Sequence, residues 1–411
     1  MVRLADRVET ESGQTGPIAA RSSKDGRRWV AVGRSAGDAS RAAGREAAER
    51  ALGSDDPKLL IVFCSDRYEL AELVEGVAGQ APDVPLIGCT TAGEIASDGP
   101  ADGGVVVTAL GGPGFSVRTG QGVAGKDGPR AAGATAAACM NEAAPAEDHV
   151  LMLLTDGVIG DKQEIVRGVN EVVGAGTPLV GGCAGDSMKM EKTFQLHGGE
   201  VISEGVVAAA ISSDAPIGIG WRHGWERVGE PMLVTRAAGD RVVEIDDVPA
   251  LDVYLERLDA PKEARSDPAE FTRWARTHPL GLGRRPSGQE PVRCVNEAGF
   301  EDRSLGCTTA VPEGGMTWFM HGDADSILRS AEGSCRDALD ALDGRPAIGI
   351  VAFDCIGRRG VLGESGIREE VERIEATGDA PVCGFYTYGE IARRRGVNAF
   401  HSQTLVSLAF A

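Results

Sequence analysis

The sequence predicts an α/β fold of repeated β-α-β-hairpin units, which form mixed sheets flanked by helices and divide into two modules. The first supporting observation is a phrase that occurs three times: PLIGCTTAGEI at Pro85–Ile95, PLVGGCAGDSM at Pro178–Met188 and PVCGFYTYGEI at Pro381–Ile391. The second is that each phrase follows an apolar strand-like run and then a helix-like stretch; the runs are LLIVFCS, LMLLTDG and AIGIVAFDC. Each phrase also has a Gly three residues after its Pro and a later Gly followed by an acidic residue. Glycine is favoured where the backbone needs a positive φ or a close approach, so this repeat predicts tight turns at strand ends.

The length and composition indicate a globular protein with two or three domains. A chain of 411 residues is too long for one small core, and its hydrophobic content of 42% is enough to bury a large one. The 57 glycines and the low aromatic content of 5% suit many tight turns. The formal net charge of -19 disfavours nucleic acids and anionic membrane surfaces as partners.

The cysteines and the first residues bear on the compartment. None of the nine cysteines forms a C-x-x-C pair, so neither a zinc ribbon nor a thioredoxin-like site is predicted. Their apolar surroundings indicate reduced, buried thiols. The start, MVRLADRVETESGQTG, has no apolar signal-peptide core, and no apolar run is long enough to span a bilayer. We therefore expect a cytoplasmic protein without a membrane segment.

The first module is expected over residues 26–225, after a polar, frayed head at residues 1–25. It holds two tandem copies of the unit. In the first copy RRWVAVGRS is a strand, and Asp38 opens a helix that ends at Gly53. LLIVFCS is a buried strand, YELAELVEGVAGQ an amphipathic helix and PLIGCTT a strand. GGVVVTAL and FSVRTGQ are then expected to form an antiparallel pair.

Another helix, which Asp127 opens, runs through Cys139, and the second copy then begins. HVLMLLTDG is predicted to be a strand and DKQEIVRGVNEVVGAG a helix. Four strands are expected to follow: PLVGGCAG, TFQLHGGEV, GVVAAAIS and IGIGWRH.

The second module is expected over residues 230–411, because the composition changes between Trp225 and Glu230. PMLVTRAAGDRVVEIDD alternates like half-buried strands, and VPALDVYLERL is a helix. Residues 259–288 are rich in Pro, Gly and charge, and they predict a long, partly ordered loop. PVRCVNEA, SLGCTTAVP and MTWFMHGD are strands, and SILRSAEGSCRDALDAL is a helix. The third copy then comprises AIGIVAFDC, a helix over Glu369–Ala376, PVCGFYTYGEI and the final strand TLVSLAFA.

Several of these motifs occur together in one family. FDCIGRRGVLG, GFYTYGEIA and FHSQTLV follow LVTRAAGDRVVEIDDVPALDVYLERL in order, and VFCSDRY, PLIGCTTAGEI and GGVVVTAL precede it. With these motifs the chain resembles the FIST sensory proteins, which have an N-terminal and a C-terminal FIST module. One departure is visible, because the family more usually has Asn after the motif His, whereas Ser402 follows His401 here. Serine can hydrogen-bond but lacks the two donors of an amide.

The resemblance implies a bacterial sensor in signal transduction rather than an enzyme. Its implied ligand is a small metabolite such as an amino acid. Some members look like haem-binding nitric-oxide sensors, so haem is the alternative cofactor. The implied partner is a histidine kinase or a cyclic-dinucleotide signalling enzyme. Because no output domain and no transmitter helix with sustained heptads is found in the sequence, a sensor of this kind is expected to signal through a separate protein.

Arg358 is the first candidate ligand residue. It follows Cys355 in FDCIGRRG, after a strand-like run, where an Arg on a Gly-bounded turn can present its planar fork to a carboxylate. The alternative for Arg358 and Arg359 is a solvated turn. Cys355 is placed near the ligand by its motif, although its surroundings indicate packing rather than a nucleophile.

Tyr386, Tyr388 and Glu390 alternate in GFYTYGEI. The period of two in a strand puts the two tyrosines on the same side, where they could wall a pocket or form an amphipathic core edge. Glu390 could hold an ammonium group, or it could accept backbone N–H bonds at a turn. Glu94 occupies the same place in the first phrase, and an acid in all three phrases would favour the turn role.

His401 is the candidate haem ligand, and it would otherwise bond a ligand carboxylate or fasten the last strand to a loop. His197 and His223 are alternative haem ligands, since both stand in strand-like contexts. Trp221 and Trp225 flank His223, as a haem pocket or a domain interface would require.

An enzyme hypothesis comes from GRSAG at residues 33–37, which fits the G-x-S-x-G pattern between a strand and a helix. It would make Ser35 the nucleophile of an esterase. No upstream loop supplies an oxyanion hole, and short patterns arise often in a chain rich in Gly and Ser, so this hypothesis ranks last.

The sequence thus predicts a non-catalytic, cytoplasmic sensor with its ligand mainly in the C-terminal module. The predicted site residues are Cys355, Arg358, Tyr386, Tyr388, Glu390 and His401, with His401 as metal ligand if haem is bound. A structural adaptor with an empty pocket is the third alternative.

Overall fold

A computed structural model describes residues 26–283, 290–396 and 399–411. The chain forms a mixed α/β structure, and this confirms the predicted fold class. Three repeats carry the same succession of elements. The first repeat consists of β1 (Trp29–Ser35), α1 (Ser40–Ala51), β2 (Pro57–Cys64), α2 (Leu70–Ala78), β3 (Leu86–Thr90), β4 (Glu94–Ala96), β5 (Gly99–Ala101) and β6 (Val105–Gly111).

The second repeat follows directly and has the same order. It consists of β7 (Phe115–Val123), α3 (Gly128–Ala137), a 3-10 helix (Ala138–Glu142), β8 (Asp148–Thr155), α4 (Lys162–Val173), β9 (Leu179–Cys183), β10 (Phe194–His197), β11 (Glu200–Ser203) and β12 (Gly205–Ser213).

The third repeat begins with β13 (Ile217–Arg222) and is then interrupted by residues 226–321, here called the insertion. The insertion consists of β14 (Glu226–Ala238), β15 (Arg241–Ile245), β16 (Val248–Pro249), α5 (Ala250–Arg257), a 3-10 helix (Glu263–Arg265), α6 (Pro268–Ala275), β17 (Leu280–Leu282), β18 (Val292–Arg293), β19 (Val295–Gly299), β20 (Ser304–Cys307) and β21 (Met316–His321). The repeat resumes with α7 (Ala324–Asp340), β22 (Gly349–Cys355), α8 (Ile356–Gly378), β23 (Val382–Thr387), β24 (Glu390–Arg393), β25 (Phe400–His401) and β26 (Leu405–Phe410).

The repeats exchange hairpins in a closed cycle. The first sheet has the strand order β1-β6-β2-β3-β10-β11, the second β7-β12-β8-β9-β24-β25 and the third β13-β26-β22-β23-β4-β5. Each sheet therefore combines four strands of one repeat with a hairpin of another. In every sheet the third and fourth strands are parallel and joined by a helix, and the other pairs are antiparallel. This exchange couples the folding of the three repeats.

The three sheets face one another across a shared core, and the helices lie outside. Phe63, Phe353 and Phe385 of this core contact one another, with ring centroids 4.6–6.3 Å apart. The outer faces are covered by α1 and α2 on the first sheet, α3 and α4 on the second, and α7 and α8 on the third. The insertion has a separate core around Tyr254 and Phe271.

Helix α4 illustrates how the sequence determines these elements. The Asp161 carboxylate caps its amino end by accepting a 2.9 Å bond from the backbone N–H of Gln163. Ile165, Val166 and Val169 recur at helical spacing and are buried against the second sheet. Burial of each such side chain contributes about 1.5–3 kcal/mol.

Two local predictions were wrong. GGVVVTAL and FSVRTGQ form β6 and β7, but β6 pairs with β1 and β2 while β7 pairs with β12. The turn between them carries the chain from one sheet to the next.

The predicted loop over residues 259–288 contains α6, which Asp267 caps and which buries Phe271 and Ala275. Residues 284–289, which include the end of this predicted loop, lie outside the described residues, as do residues 1–25, where a frayed head was expected. No described helix has both the length and the apolar character needed to cross a bilayer.

Candidate functional site

The three repeated phrases meet at the carboxyl ends of β3, β9 and β23. The first and third phrases bond through Ala92 N to Tyr386 O at 3.1 Å and Tyr386 N to Gly93 O at 2.9 Å. The remaining backbone bonds close the ring: Cys183 N to Gly389 O, Tyr388 N to Cys183 O, Gly185 N to Thr90 O and Ser187 N to Thr91 O. The phrases are therefore the junction of the three repeats.

Gly185 shows why this junction requires glycine. A Cβ at this position would lie 2.5 Å from the backbone N of Ala92 and 2.8 Å from the backbone C of Thr91. Both neighbours are main-chain atoms of another repeat, so they cannot rotate away. Gly185 thus allows the second and first phrases to approach.

Glu390 supports a turn. Its carboxylate accepts a 2.5 Å bond from the Thr387 hydroxyl and a 3.1 Å bond from the backbone N–H of Thr404. Burial raises its pKa to about 8, and the bonds from Thr387 and Thr404 only partly oppose this rise. Of the two predicted roles, this geometry matches the acceptor at a turn, with no described cation paired to Glu390.

Glu94 has the same surroundings in the first repeat. It accepts a 2.5 Å bond from the Thr91 hydroxyl and a 2.9 Å bond from Gly104 N, and burial raises its pKa to about 7. The counterpart in the second repeat is Gln195, whose Oε1 accepts from Gly205 N at 3.2 Å. Strand register identifies it, because Glu94, Glu390 and Gln195 lie opposite equivalent positions of the phrases. Asp186, the acid at the end of the second phrase, is therefore not the structural equivalent of Glu94 and Glu390.

Asp186 shapes a loop instead. Its carboxylate accepts bonds of 2.7–3.0 Å from the backbone N–H groups of Met190, Glu191 and Lys192, and a 2.6 Å bond from the Tyr388 hydroxyl. Although partial burial raises the pKa of Asp186, these bonds outweigh burial and lower it overall. The third repeat therefore holds a loop of the second through Tyr388.

The two tyrosines do not wall one pocket, so that interpretation is corrected. Strand β23 ends at Thr387, and Tyr388 lies in the turn that follows. The Tyr386 hydroxyl is buried on the outer face of the third sheet and bonds to no described residue. Its ring lies 4.9 Å from the guanidinium of Arg359, which also forms a bidentate ion pair with Asp102 at 2.6 and 2.7 Å.

The guanidinium of Arg358 has no free hydrogen-bond donor in this structure. The residue is fully buried in α8, and its guanidinium forms ion pairs with Asp354, at 2.7 Å, and with Glu370. Burial lowers the pKa of Arg358, but the two carboxylates outweigh this effect and raise it overall. Its other acceptors are the His223 carbonyl, the Ser330 hydroxyl and the Ile327 carbonyl. No donor remains for a ligand carboxylate, so the predicted role requires correction, and Arg358 instead fixes the backbone of His223.

His401 is placed in β25 with its ring largely buried. Its Nε2 bonds to the carbonyl of Ala392 at 2.9 Å, and its ring centroid lies 5.9 Å from that of Trp221. Burial and, to a lesser extent, the charge of Arg293 lower its pKa to about 4, and the bond to the Ala392 carbonyl only partly opposes this. Because Nε2 is engaged by a carbonyl, it donates there and offers no lone pair to iron. Haem therefore does not fit Nε2 of His401 as placed, and the geometry matches a histidine that fastens a strand.

Among the described residues, no cluster of three or more His, Cys, Asp or Glu side chains is arranged to hold a metal ion. His197 is half-buried in β10, and its Nε2 has no described partner. Cys355 is buried beside Glu390, and burial raises the pKa of its thiol well above the usual value. This result agrees with packing rather than nucleophilic chemistry.

Ser35 does not have the surroundings of an esterase nucleophile. Its hydroxyl donates a 2.6 Å bond to the Glu46 carboxylate and accepts a bond from Gly37 N. All six histidines belong to the described ranges, and none of them bonds to Ser35. A histidine base of the kind that activates serine is therefore not in contact with it.

A second polar region lies where the insertion contacts the core. This contact surface, here called the seam, contains Arg276 and Thr308 of the insertion on one side and Trp225, Ser402 and Gln403 on the other. Gln403 O accepts a 3.0 Å bond from Trp225 Nε1, and Gln403 Nε2 donates to Arg276 O at 3.3 Å. The hydroxyls of Thr308 and Ser402 lie 3.5 Å apart. The sequence motif FHSQTLV thus forms one side of a domain contact.

Several polar atoms along the seam lack partners. Gln403 is fully buried, adopts φ 52° and leaves Oε1 without a described partner. His223 accepts from Trp225 N through Nδ1 at 2.9 Å, so its Nε2 carries the hydrogen, and no described residue accepts it. Buried polar groups are normally satisfied, so these atoms point to a missing ligand or water. Sequence reasoning missed Gln403, and its only signal was membership of the FHSQTLV motif.

Comparisons with known proteins give limited likeness to individual relatives. An uncharacterised protein of Methanocaldococcus jannaschii is 35% identical over 81 residues, which are 20% of this chain and 16% of that protein. Uncharacterised proteins of two Mycobacterium tuberculosis strains are 25% identical over 235 residues, covering 56% of this chain and 60% of theirs. The chain thus spans less than two thirds of each of these relatives.

Among solved structures, phosphoribosylformylglycinamidine synthase II of Thermotoga maritima matches with 12% identity and a TM-score of 0.21. That match covers 92% of this chain and 71% of the synthase. A TM-score this low carries no argument about fold or function.

The family comparison is extensive and confirms the resemblance. The FIST N domain matches residues 58–248, and the FIST C domain matches residues 250–393. The two matches adjoin between β16 and α5, inside the insertion. The chain therefore belongs to the FIST-domain proteins, whose domains are associated with small-ligand sensing in signal transduction.

Proposed function

We propose that this chain senses a small metabolite, such as an amino acid, without catalysing a reaction, and signals through a separate partner protein. The observation that carries the proposal is the set of buried, unpartnered polar atoms at the seam, above all Gln403 Oε1 and His223 Nε2–H among the described groups. One is an acceptor and the other a donor. A small ligand with both kinds of group would satisfy them, since leaving each unpaired costs about 1–3 kcal/mol.

The position of these atoms suits a sensor. The seam joins two bodies with separate cores, one around Tyr254 in the insertion and one shared by the three sheets. Gln403 and His223 belong to the core side, and Gln403 also bonds to Arg276 of the insertion, so a ligand bound there favours the arrangement in which the two bodies are close. Domain contacts are also places where small-molecule sites commonly occur. Ligand occupancy would therefore change the relation between the insertion and the core.

The backbone of Gln403 supports a functional role for this position. Gln403 lies in the left-handed region, which is uncommon for residues other than Gly, Asn and Asp. Such strain persists where surrounding structure over-determines it, and it concentrates at binding sites. Here the Trp225 and Arg276 bonds hold Gln403 in place.

Arg358 and Glu390, which the sequence predicted as ligand-binding residues, would support this site without contacting the ligand. Arg358 donates a 3.0 Å bond to the carbonyl of His223, which is two residues before Trp225. Glu390 bonds to Thr404 N, adjacent to Gln403. These residues would position the ligand-binding groups. The signalling partner would be a histidine kinase or a cyclic-dinucleotide enzyme, as the family resemblance implies.

A thermal-unfolding panel of amino acids and organic acids tests this proposal, because a ligand that binds only the folded state raises Tm. The full chain, Gln403→Leu and the exposed control Gln80→Leu would be compared. We expect at least one compound to raise Tm of the wild type and of Gln80→Leu but not of Gln403→Leu. A shift that survives in Gln403→Leu would place the ligand elsewhere, and the absence of any shift would contradict a metabolite sensor.

A further inference from the structure

Arg293 in β18 is a buried cation without an acidic partner. Only 5% of the residue is exposed. Its Nη1 donates to Val292 O at 3.0 Å and its Nε donates to Ala310 O at 3.3 Å. No described Asp or Glu forms an ion pair with it, and no described group accepts from its Nη2.

The other buried arginines of the described chain differ. Arg358 has two carboxylate partners, Asp354 and Glu370. Arg393 has four acceptors, which are Thr177 O, Asn170 Oδ1, Gly396 O and Gly174 O. Of these three, only Arg293 has an amino group, Nη2, without an acceptor among the described residues. A buried charge is strongly unfavourable unless it is paired, and guanidinium groups cannot easily become neutral.

The surroundings of Arg293 connect it to the seam. Arg293 precedes Cys294, whose carbonyl accepts a 3.0 Å bond from the backbone N–H of Thr308 in the seam. The charge of Arg293 also contributes to the lowered pKa of His401. The hydroxyl of Thr309, next to the Ala310 carbonyl that Arg293 bonds, is buried and has no partner in the described chain. The acidic residue whose charge acts on Arg293 is Asp161, which caps α4 and is not within ion-pair distance. A cationic donor and an unpartnered hydroxyl therefore both lie next to the strand contact that Thr308 makes at the seam.

We propose that Arg293 binds the carboxylate of a small ligand at the seam, with Nη2 donating to one carboxylate oxygen. The inference rests on the proposed sensor function and adds the chemical class of the ligand and the residue that recognises it. A carboxylate suits the site because a guanidinium presents planar, charge-assisted donors that match its geometry. The ligand would supply the counter-charge that the protein lacks at this position.

The test compares the full chain with Arg293→Met, which keeps the length of the side chain but removes its charge. Arg293→Lys retains the charge without the planar fork, and the exposed Arg336→Met is the control. Thermal unfolding at constant ionic strength would be followed with acetate, propionate, glycine and alanine, with acetamide and propionamide as neutral analogues, and with inorganic phosphate. We expect at least one carboxylate to raise Tm in the wild type and in Arg336→Met, while its amide does not.

In Arg293→Met we expect the apparent Kd for that carboxylate to rise about tenfold or more, because a charged hydrogen bond is lost. Without ligand, Arg293→Met should be no less stable than the wild type, since an unpaired buried charge has been replaced by an apolar group. If Arg293→Met does not fold, Arg293→Lys must show a weakened carboxylate response, and an unchanged response would overturn the proposal.

The remaining outcomes separate this inference from the sensor function. A neutral compound that raises Tm equally in the wild type and Arg293→Met would overturn the role of Arg293 and leave the sensor function standing. Equal shifts from phosphate and every carboxylate in all variants would indicate non-specific anion effects and would also overturn it. No shift with any compound would contradict both proposals.

Discussion

The hydroxyl of Tyr388 donates a 2.6 Å hydrogen bond to Oδ1 of Asp186, and this bond joins the repeated phrases of the third and second repeats. The same hydroxyl oxygen accepts from Met188 N at 2.8 Å. Ser187, Met188 and Met190 all adopt positive φ in the loop that Asp186 holds. A non-glycine loop with this backbone needs outside support, so the shape of residues 186–192 depends on a residue of another repeat.

Tyr388→Phe should therefore destabilise the protein by about 1–2 kcal/mol, because a buried acceptor loses its donor. Urea unfolding measures the loss, and hydrogen exchange should become faster in residues 186–192. Tyr386→Phe is the matched control, since the Tyr386 hydroxyl has no partner among the described residues. It should be neutral or slightly stabilising. Equal losses from the two substitutions would contradict the assigned role of the Tyr388 bond.

Arg358→Met should destabilise the protein by about 3–5 kcal/mol, because it leaves the buried carboxyls of Asp354 and Glu370 without their cation. Chemical denaturation of the ligand-free protein measures this loss. Replacing all three residues by apolar ones of similar volume should recover much of the stability. If Arg358→Met kept full stability and lost only ligand binding, Arg358 would be the residue that binds the ligand carboxylate, as the sequence predicted.

Glu94 and Glu390 should make stability fall as the pH rises. Their folded pKa values, raised by burial to about 7 and about 8, lie above the ordinary value of 4.5. The folded state therefore holds more protons than the unfolded state between these values, and stability decreases through this window as pH increases. Each unit of pKa shift corresponds to about 1.4 kcal/mol.

Between pH 6.5 and 8, the change in stability caused by Glu94 and Glu390 is separated from the change caused by His223 and His401. Those histidines have folded pKa values near 4, below the ordinary 6.5, so their contribution is lost only as the pH falls from 6.5 towards 4. Urea unfolding across pH 6.5–8 should show a smaller slope in Glu390→Gln than in the wild type. Gln195→Glu should increase the slope, because it recreates the buried acid in the second repeat. An unchanged slope in both variants would contradict the equivalence of Glu94, Glu390 and Gln195.

Haemin should produce no Soret band that depends on His401. The Nε2 of His401 is bonded to Ala392 O, and its ring is largely buried. Haemin titration of the wild type and His401→Ala, followed by absorption spectroscopy, checks this expectation. A stoichiometric band that shifts with nitric oxide and disappears in His401→Ala would favour the haem alternative over a metabolite sensor.

Much of the fold could be predicted because it is local. Apolar runs such as LLIVFCS and amphipathic stretches such as YELAELVEGVAGQ specify strands and helices through their own periodicity. The repeat of Pro85–Ile95 likewise revealed the three units. The hairpin exchange could not be predicted, because β4 and β10 pair with strands far away in the sequence. Local patterns do not specify which sheet an edge strand joins.

The site was harder to predict than the fold. Arg358 was expected on a Gly-bounded turn, but it lies in α8, and its partner Glu370 is twelve residues further along that helix, beyond the kink at Gly363. Asp186 stands where Glu94 and Glu390 stand in the repeated phrase. Their structural position in the second repeat is nevertheless occupied by Gln195, which follows a longer loop. Arg293 and Gln403 are recognised by side-chain atoms that have no hydrogen-bond partner among the described residues. Such atoms can be identified only after the surrounding structure is known.

Hydrogen–deuterium exchange of the full chain, with and without the compound that raises Tm most, tests the central claim most directly. We predict that the compound slows exchange on both sides of the seam, in segments containing Trp225, Arg293 and Gln403. Slower exchange only in regions remote from these residues, or no change with any compound, would contradict a sensor that binds its ligand between the insertion and the core.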